Sequence, residues 1–253
     1  MSNDDTKIKK LLAAAPLSAK SIATLDVVDV GAQIQAGLGV TIDDVAASEV
    51  VLLTMMPDDS SSISTAGNTA SVQDGHNLVI DALRASKQSG EVLAHTRYLN
   101  GHVLTPYTAL EHAVKMSSAN YDPRLATPLF DQATVVLGTV IAKAPELAQA
   151  GIAVRTVILI ITDGGDYGST RCKAADVKAL VDDMLAQENH IVAAMGISDG
   201  HTDFRAVFRA MGIADRWILT PGNSASEIRR AFAVFSQSAV RAAAGAQLGG
   251  FSN

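Results

Sequence analysis

The sequence predicts an open, doubly wound, Rossmann-like α/β fold: a mostly parallel sheet with one antiparallel edge strand and helices on both faces. From residue 48 onward, short runs rich in Val, Leu and Ile alternate with longer segments of helical periodicity, as expected for buried parallel strands joined by helices. Hydrophobic residues make up 48% of the 253 residues and charged residues only 18%, which suits one large core. The dipeptide Asn100-Gly101 indicates a hairpin, and hence one antiparallel strand.

The first 47 residues are predicted to form a helical extension, followed by the α/β domain at 48–240 and a flexible, Gly-rich tail at 241–253. Residues 1–15 fit a short helix that Pro16 ends. Between residues 17 and 40 the apolar spacing fits either a helix or a short strand, and three glycines weaken a long helix. The extension either packs on the domain or carries a partner, and packing is the preferred hypothesis.

The first strand of the domain is the apolar run at 50–56, which Pro57 stops. Asp58, Ser60 and Ser62 follow it at the spacing D-x-S-x-S. A carboxylate and two hydroxyls on one turn of loop are hard oxygen ligands of the kind that hold Mg²⁺ or Mn²⁺. An ordinary loop or helix cap explains these residues equally well.

The middle of the chain is predicted to contain helix, hairpin and helix. A helix at 72–87 ends near Ser89-Gly90, and Asn100-Gly101, which accepts positive φ at both positions, joins the two hairpin strands. A short helical pattern covers 107–116, and a long helix is predicted at 128–147. Because Pro128 suits the first helical position, capping is the simplest role for Thr127.

The next strand is the β-branched run at 154–162, which ends at Asp163. Asp163 therefore lies at the carboxyl edge of a parallel sheet, where open α/β proteins bind ligands. A turn is the simpler role for Asp166. The rest of the domain is predicted to consist of a helix at 174–187, a strand at 190–197, a helix at 203–211, a strand at 216–219 and a helix at 224–244.

Three motifs in this order resemble those of the von Willebrand factor type A (vWA) domain, over about residues 48–240. They are D-x-S-x-S from Asp58, T-P-L-F-D from Thr127 and T-D-G around Asp163. The resemblance implies a metal-ion-dependent adhesion site (MIDAS), which in that family holds one divalent ion, usually Mg²⁺, directly or through water. Carried over by motif, the ligands here are Asp58, Ser60, Ser62, Thr127 and Asp163.

The sequence departs from the family pattern in two loops. Leu125-Ala126 precede Thr127 where many relatives have glycines, and the first motif reads D-D-S-S-S, with no glycine between the serines. Neither change removes an oxygen ligand, and both affect the shape of a loop.

The function implied by the resemblance is metal-dependent protein binding. Mg²⁺ takes six oxygens and keeps several waters where the protein supplies few charged ligands. An Asp or Glu of a partner protein is then expected to replace a water, with Mn²⁺ as the alternative ion. Intracellular bacterial relatives often work with AAA+ ATPases, which makes such an ATPase a plausible partner.

Two other functions fit part of the sequence. A Mg²⁺-dependent phosphohydrolase with Asp58 or Asp59 as nucleophile needs an aspartate two positions later, where Ser60 or Ser61 stands. We therefore expect no enzyme. A structural subunit with no metal dependence stays open, because extra apolar helices often dock onto another molecule.

Composition argues against several classes of partner and site. A net charge of −6 and a pI near 5.4 argue against a nucleic-acid-binding surface, which needs a basic face. No apolar run approaches the length of a membrane span. The six histidines have no zinc-ligand spacing. Cys172 is the only cysteine, so no intramolecular disulfide forms and a reducing cytoplasm is the expected location.

Overall fold

The computed structural model describes residues 3–26 and 30–251, whose strands form one six-stranded sheet. The strands are β1 (Glu49–Met56), β2 (Val92–Arg97), β3 (Val103–Ala109), β4 (Ala153–Thr162), β5 (His190–Gly196) and β6 (Ile218–Leu219). Their order is β3-β2-β1-β4-β5-β6, and only the edge pair β2–β3 is antiparallel. The predicted open, mostly parallel sheet with one antiparallel edge strand is confirmed.

Helices cover both faces of this sheet. They are α1 (Asn3–Ala14), α2 (Ala19–Leu25), α3 (Val30–Leu38), α4 (Ser61–Thr65), α5 (Thr69–Arg84), α6 (Leu129–Ala148), α7 (Ala174–Leu185), α8 (Phe204–Ala210) and α9 (Ala225–Ala243). α5 packs against α9, which contacts β1, and α6 packs against β1, β4 and α7. β1 is buried without alternation after Glu49, which requires cover on both faces. Each helix of the described residues is too short or too polar to span a bilayer.

The N-terminal helices pack on the domain, chiefly through α6. α1 and α3 contact α6, and α2 contacts α7. The approach is close at Gly138, where an added Cβ would lie 2.8 Å from side-chain carbons of Ile34 and Leu25. The ambiguous segment at 17–40 therefore contains two helices that pack on the domain, although residues 27–29 lie outside the described ranges.

The prediction of a helix at 107–116 is wrong. Tyr107 lies in β3, which is followed by a 3₁₀ turn at Leu110–His112. The buried hydroxyls of Tyr107 and Thr54 lie 2.5 Å apart in a hydrogen bond, and Thr108 pairs with Ala94 of β2. Sheet pairing and burial of the ring outweigh the local helical spacing.

The predicted hairpin is confirmed, but its turn differs from the expected one. Gly101 has a φ of +93°, whereas Glu188 is the single non-glycine with positive φ in the described ranges. Asn100 thus keeps an ordinary φ. Its backbone N–H and its Nδ2 both donate to Asp59 Oδ1 at 2.9 Å, so it connects the turn to the loop after β1.

The last described residue packs on the domain. The N–H of Phe251 donates to the carbonyl of Arg216 at 2.9 Å. Its ring meets Trp217 edge-on, with the ring centroids 5.2 Å apart. This part of the tail is therefore in contact with the core beside β6.

Candidate functional site

The candidate ligands lie at the carboxyl edge of the sheet, where β1 and β4 end side by side. The two strands pair in parallel as far as Met56 and Ile160. Asp58 follows the end of β1, and Asp163 directly follows β4. Parallel pairing therefore brings together two carboxylates that are 105 residues apart in the sequence. We call the five predicted ligands, Asp58, Ser60, Ser62, Thr127 and Asp163, the candidate metal site.

Hydrogen bonds join four of the five candidate ligands. The Ser62 hydroxyl donates to Asp163 Oδ1 at 2.5 Å, and the Oγ atoms of Ser60 and Ser62 lie 2.8 Å apart. Asp58 Oδ1 accepts from the Ser60 N–H at 2.7 Å. Asp58 Oδ2 accepts from the Thr162 hydroxyl at 2.7 Å and from the Asp163 N–H at 3.3 Å. The two carboxylates are thus linked through Ser60 and Ser62: Asp58 accepts from the Ser60 N–H, and the two serine hydroxyls connect Ser60 to Asp163.

Thr162 orients Asp58, a role that was not predicted from the sequence. Threonine is β-branched and common in strands, so its place in this run does not indicate a functional role for its hydroxyl. Thr162 is the first residue of the T-D-G motif, and that motif is the sequence signal that could have identified its role.

In the described ranges, Thr127 is joined through its backbone to the loop after β4, and not to another candidate ligand. The segment at 125–127 forms isolated bridges on both sides, between Leu125 and Ser60 and between Thr127 and Tyr167. Thr127 and Tyr167 exchange two backbone hydrogen bonds of 2.9 and 2.8 Å. Among the hydrogen bonds of the described residues, none joins the Thr127 hydroxyl to the other four candidate ligands or to the start of α6.

A neighbouring loop caps α6 in place of Thr127. The Ser169 hydroxyl oxygen accepts from the N–H groups of Phe130 and Asp131, both at 3.0 Å. Asp166 Oδ1 accepts from the Phe130 N–H at 3.2 Å, and the Asp131 carboxylate accepts from the N–H groups of residues 170–172. Asp166 therefore fixes the loop after β4 to the first turn of α6.

Asp59 and Asn100 hold three loops of the site together. Asp59 is 5% exposed, and its carbonyl accepts from the N–H groups of Arg124 and Leu125 at 3.1 and 3.3 Å. Asn100 donates to the Asp59 carboxylate as described above, and its Nδ2 also donates to the Ala126 carbonyl at 2.6 Å. We call this pair the Asp59–Asn100 clamp. It joins the first motif, the hairpin turn and the loop that leads to Thr127.

Burial raises the pKa of both carboxyl groups in the candidate metal site. Desolvation raises the pKa of Asp58, against hydrogen bonds from Ser60 and Thr162 that lower it. Asp163 has its pKa raised to about 6, first by burial and then by the negative charges of Asp58 and Asp199, against the Ser62 hydrogen bond. A nearby cation favours the ionised form of both groups.

The donor set fits a hard divalent cation. All the side-chain donors are carboxylate or hydroxyl oxygens, which Mg²⁺ and Mn²⁺ prefer. Across residues 3–26 and 30–251, no group of three or more His, Cys, Asp or Glu side chains is arranged to hold a metal. Two carboxylates and neutral hydroxyls leave part of an octahedral shell to water or to another molecule. Ser62 is exposed, so the site is open to solvent on that side.

No protein-family model matches the sequence, and no curated protein matches it. Solved structures are similar in fold. The pilus adhesin SpaC of Lactobacillus rhamnosus GG, in its open conformation, gives a TM-score of 0.56 at 10% identity over 77% of this chain and 30% of that chain. Proximal thread matrix protein 1 of the mussel byssus gives 0.51 at 14% identity over 76% of this chain and 48% of that one. The chain thus spans less than half the length of either structure.

These likenesses show the fold alone, and that fold is vWA-like. The VWA domain of SpRpn10 gives a TM-score of 0.43 at 9% identity over 72% of this chain and 92% of that domain. That score is too low to support a statement about function.

Proposed function

We propose that the chain is a metal-dependent protein-binding module. Mg²⁺, or Mn²⁺, is held by the candidate metal site, and an Asp or Glu of a partner protein completes its coordination. The hydrogen-bonded cluster of two carboxylates and two serine hydroxyls at the ends of β1 and β4 carries this proposal. The order of the three sequence motifs supports it independently.

Each residue of the cluster has a separate role in the proposal. Asp58 and Asp163 supply the negative charge, and Thr162 keeps Asp58 turned toward the site. Ser60 and Ser62 supply neutral oxygens, and Ser62 exchanges its hydrogen bond to Asp163 for coordination. Thr127 is the proposed ligand from the loop after the hairpin, directly or through water. The bound ion supplies an electrophilic position that a carboxylate can occupy.

Binding is proposed rather than catalysis because the aspartates are committed to hydrogen bonds. Both oxygens of Asp58 accept hydrogen bonds, and Asp59 accepts from Asn100. Among the hydrogen bonds of the described residues, no lysine reaches either carboxylate, whereas a phosphohydrolase needs a cation near its phosphate. Asp58 Oδ1 accepts only the Ser60 N–H and keeps a lone pair that an ion can take, so the cluster is compatible with holding an ion.

Partner and location are also part of the proposal. The resemblance to intracellular bacterial vWA proteins supports an AAA+ ATPase as the partner, and the lone Cys172 supports a cytoplasmic location. The alternative, a structural subunit with no metal dependence, relied on N-terminal helices free to dock elsewhere. α1 and α3 pack on α6 of the same chain, which weakens that alternative.

Affinity capture from native lysate, in Mg²⁺ and in EDTA, tests the proposed function. Wild type and Ser61→Ala are expected to retain the same proteins in Mg²⁺ and to release them in EDTA. Ser62→Ala and Asp163→Asn are expected to retain far less. Ser61 is the matched control because it is the neighbouring exposed serine on α4 and is not a proposed ligand. Equal capture by all four proteins in both buffers would refute the proposal.

A further inference from the structure

The two most exposed large apolar side chains among the described residues lie beside the candidate metal site. Tyr167 is 80% exposed and Leu125 is 54% exposed. Ala126 is exposed between Leu125 and Thr127, and a Cβ added to Gly168 would lie 3.5 Å from the Ala126 Cβ. We call Leu125, Ala126, Tyr167 and Gly168 the apolar rim of the site.

The backbone of the rim is held by the same pairing that positions the site. Leu125 forms a parallel bridge with Ser60, and Tyr167 forms an antiparallel bridge with Thr127. The Ser61 N–H donates to the Leu125 carbonyl at 2.9 Å. The Asp59–Asn100 clamp adds the hydrogen bond to the Ala126 carbonyl. Leu125 and Tyr167 are therefore presented at fixed positions next to two proposed ligands.

The rim and the site offer two kinds of contact a short distance apart. The site contains two carboxylates and accepts a third only through a cation, whereas the four rim residues are uncharged. Thr127 lies two residues beyond Leu125 in an extended segment, a spacing of about 7 Å. Side chains at positions i and i+2 of an extended peptide lie on one face with this same spacing. An apolar anchor beside a polar contact is typical of the centre of a binding interface.

We propose that the rim binds a large apolar side chain of the partner, two residues away from the acidic residue that reaches the metal. This inference rests on the metal-dependent binding proposed above and adds the class of partner sequence. The partner segment is extended and carries Glu or Asp with a large apolar residue at i+2 or i−2. Tyr167 contributes a rigid aromatic surface and Leu125 an aliphatic one. Burial of one such side chain strengthens binding about tenfold.

A displayed peptide library with one fixed central Glu and random flanking positions tests this inference on the full chain. Selection in Mn²⁺ on wild type is expected to enrich large apolar residues at i+2 or i−2, with no enrichment in EDTA. Leu125→Ser and Tyr167→Ser are expected to bind the selected peptides about tenfold more weakly. Ile22→Ser is the matched control, because Ile22 is 50% exposed on α2 and lies outside the rim. Circular dichroism and thermal unfolding verify that each variant is folded.

The outcomes separate the rim from the metal site. Peptides that need Mn²⁺ and lose binding when Glu becomes Gln, but show no apolar preference, overturn the rim and leave the proposed function standing. The same holds if Leu125→Ser and Tyr167→Ser bind the selected peptides as tightly as Ile22→Ser. Both proposals are overturned if the selected peptides bind equally well in EDTA, or equally well when their Glu is replaced by Gln. Both are also overturned if selection in Mn²⁺ enriches no peptide.

Discussion

The Asp59–Asn100 clamp is predicted to stabilise the fold and to fix the loop that leads to Thr127. Asn100→Ala removes two hydrogen bonds made by Nδ2, at 2.9 Å to the Asp59 carboxylate and at 2.6 Å to the Ala126 carbonyl. A hydrogen bond to a charged group contributes about 1.5–3 kcal/mol and a neutral one about 1 kcal/mol. Because Asp59 is only 5% exposed, water cannot fully replace the lost donor. We expect the free energy of unfolding to fall by about 3 kcal/mol.

Urea unfolding of wild type, Asn100→Ala, Asp59→Ala and the double variant measures this loss. Because the two side chains share one interaction, the double variant is expected to lose less than the sum of the single losses, with a coupling of about 1 kcal/mol or more. Hydrogen exchange gives a local readout, since the N–H groups of Arg124 and Leu125 donate to the Asp59 carbonyl. A loss below about 0.5 kcal/mol for Asn100→Ala, or additive losses, would refute the role of the clamp.

Three further predictions concern the core. Burial lowers the pKa of His76 to about 4 in the folded chain. The neutral side chain therefore stabilises the fold fully above about pH 6.5, its pKa in the unfolded chain, and less as pH falls from about 6.5 toward 4. The stability of His76→Gln should therefore fall less steeply with acid, by up to about 1.4 kcal/mol per pH unit, and equal slopes would contradict this. Gly75→Ala places a Cβ 2.0 Å from Phe232 Cδ2 between α5 and α9, and should lower the unfolding free energy by about 3 kcal/mol. Gly90→Ala meets no atom within 4 Å and is its control in thermal unfolding. Tyr107→Phe leaves the buried Thr54 hydroxyl without its partner, which should cost about 1–2 kcal/mol in urea unfolding, and Thr54→Val in the same chain should recover part of it.

The sheet was predictable because consecutive apolar residues in the sequence indicate its buried strands. The runs that became β1 and β4 are apolar at consecutive positions, a pattern that a sheet covered on both faces requires. Asp163 comes directly after β4, and Asp58 follows β1 after Pro57, so parallel pairing alone brings them to one edge. The position of that part of the candidate metal site follows from strand ends and strand direction.

The loops were not predictable in the same way, because their structure depends on distant partners. The sequence around Tyr107 has helical spacing, but its ring is buried and its hydroxyl bonds to Thr54 on another strand. The dipeptide Asn100-Gly101 is typical of a tight turn, whereas in the structure the Asn100 side chain donates a hydrogen bond to Asp59. Thr127 precedes Pro128 as a helix cap does, yet Ser169 caps that helix from a loop beyond β4. Local spacing carries no information about such pairs.

Direct titration with Mn²⁺ tests the central claim most closely, because it requires no partner. Calorimetry or electron paramagnetic resonance should show one Mn²⁺ per chain in wild type and in Ser61→Ala, displaced by Mg²⁺. In Asp163→Asn and Ser62→Ala, binding should be at least about tenfold weaker, since each variant loses a proposed ligand. Equal affinity in Asp163→Asn and wild type, or no saturable binding by folded wild type, would contradict the metal site at Asp58, Ser60, Ser62, Thr127 and Asp163.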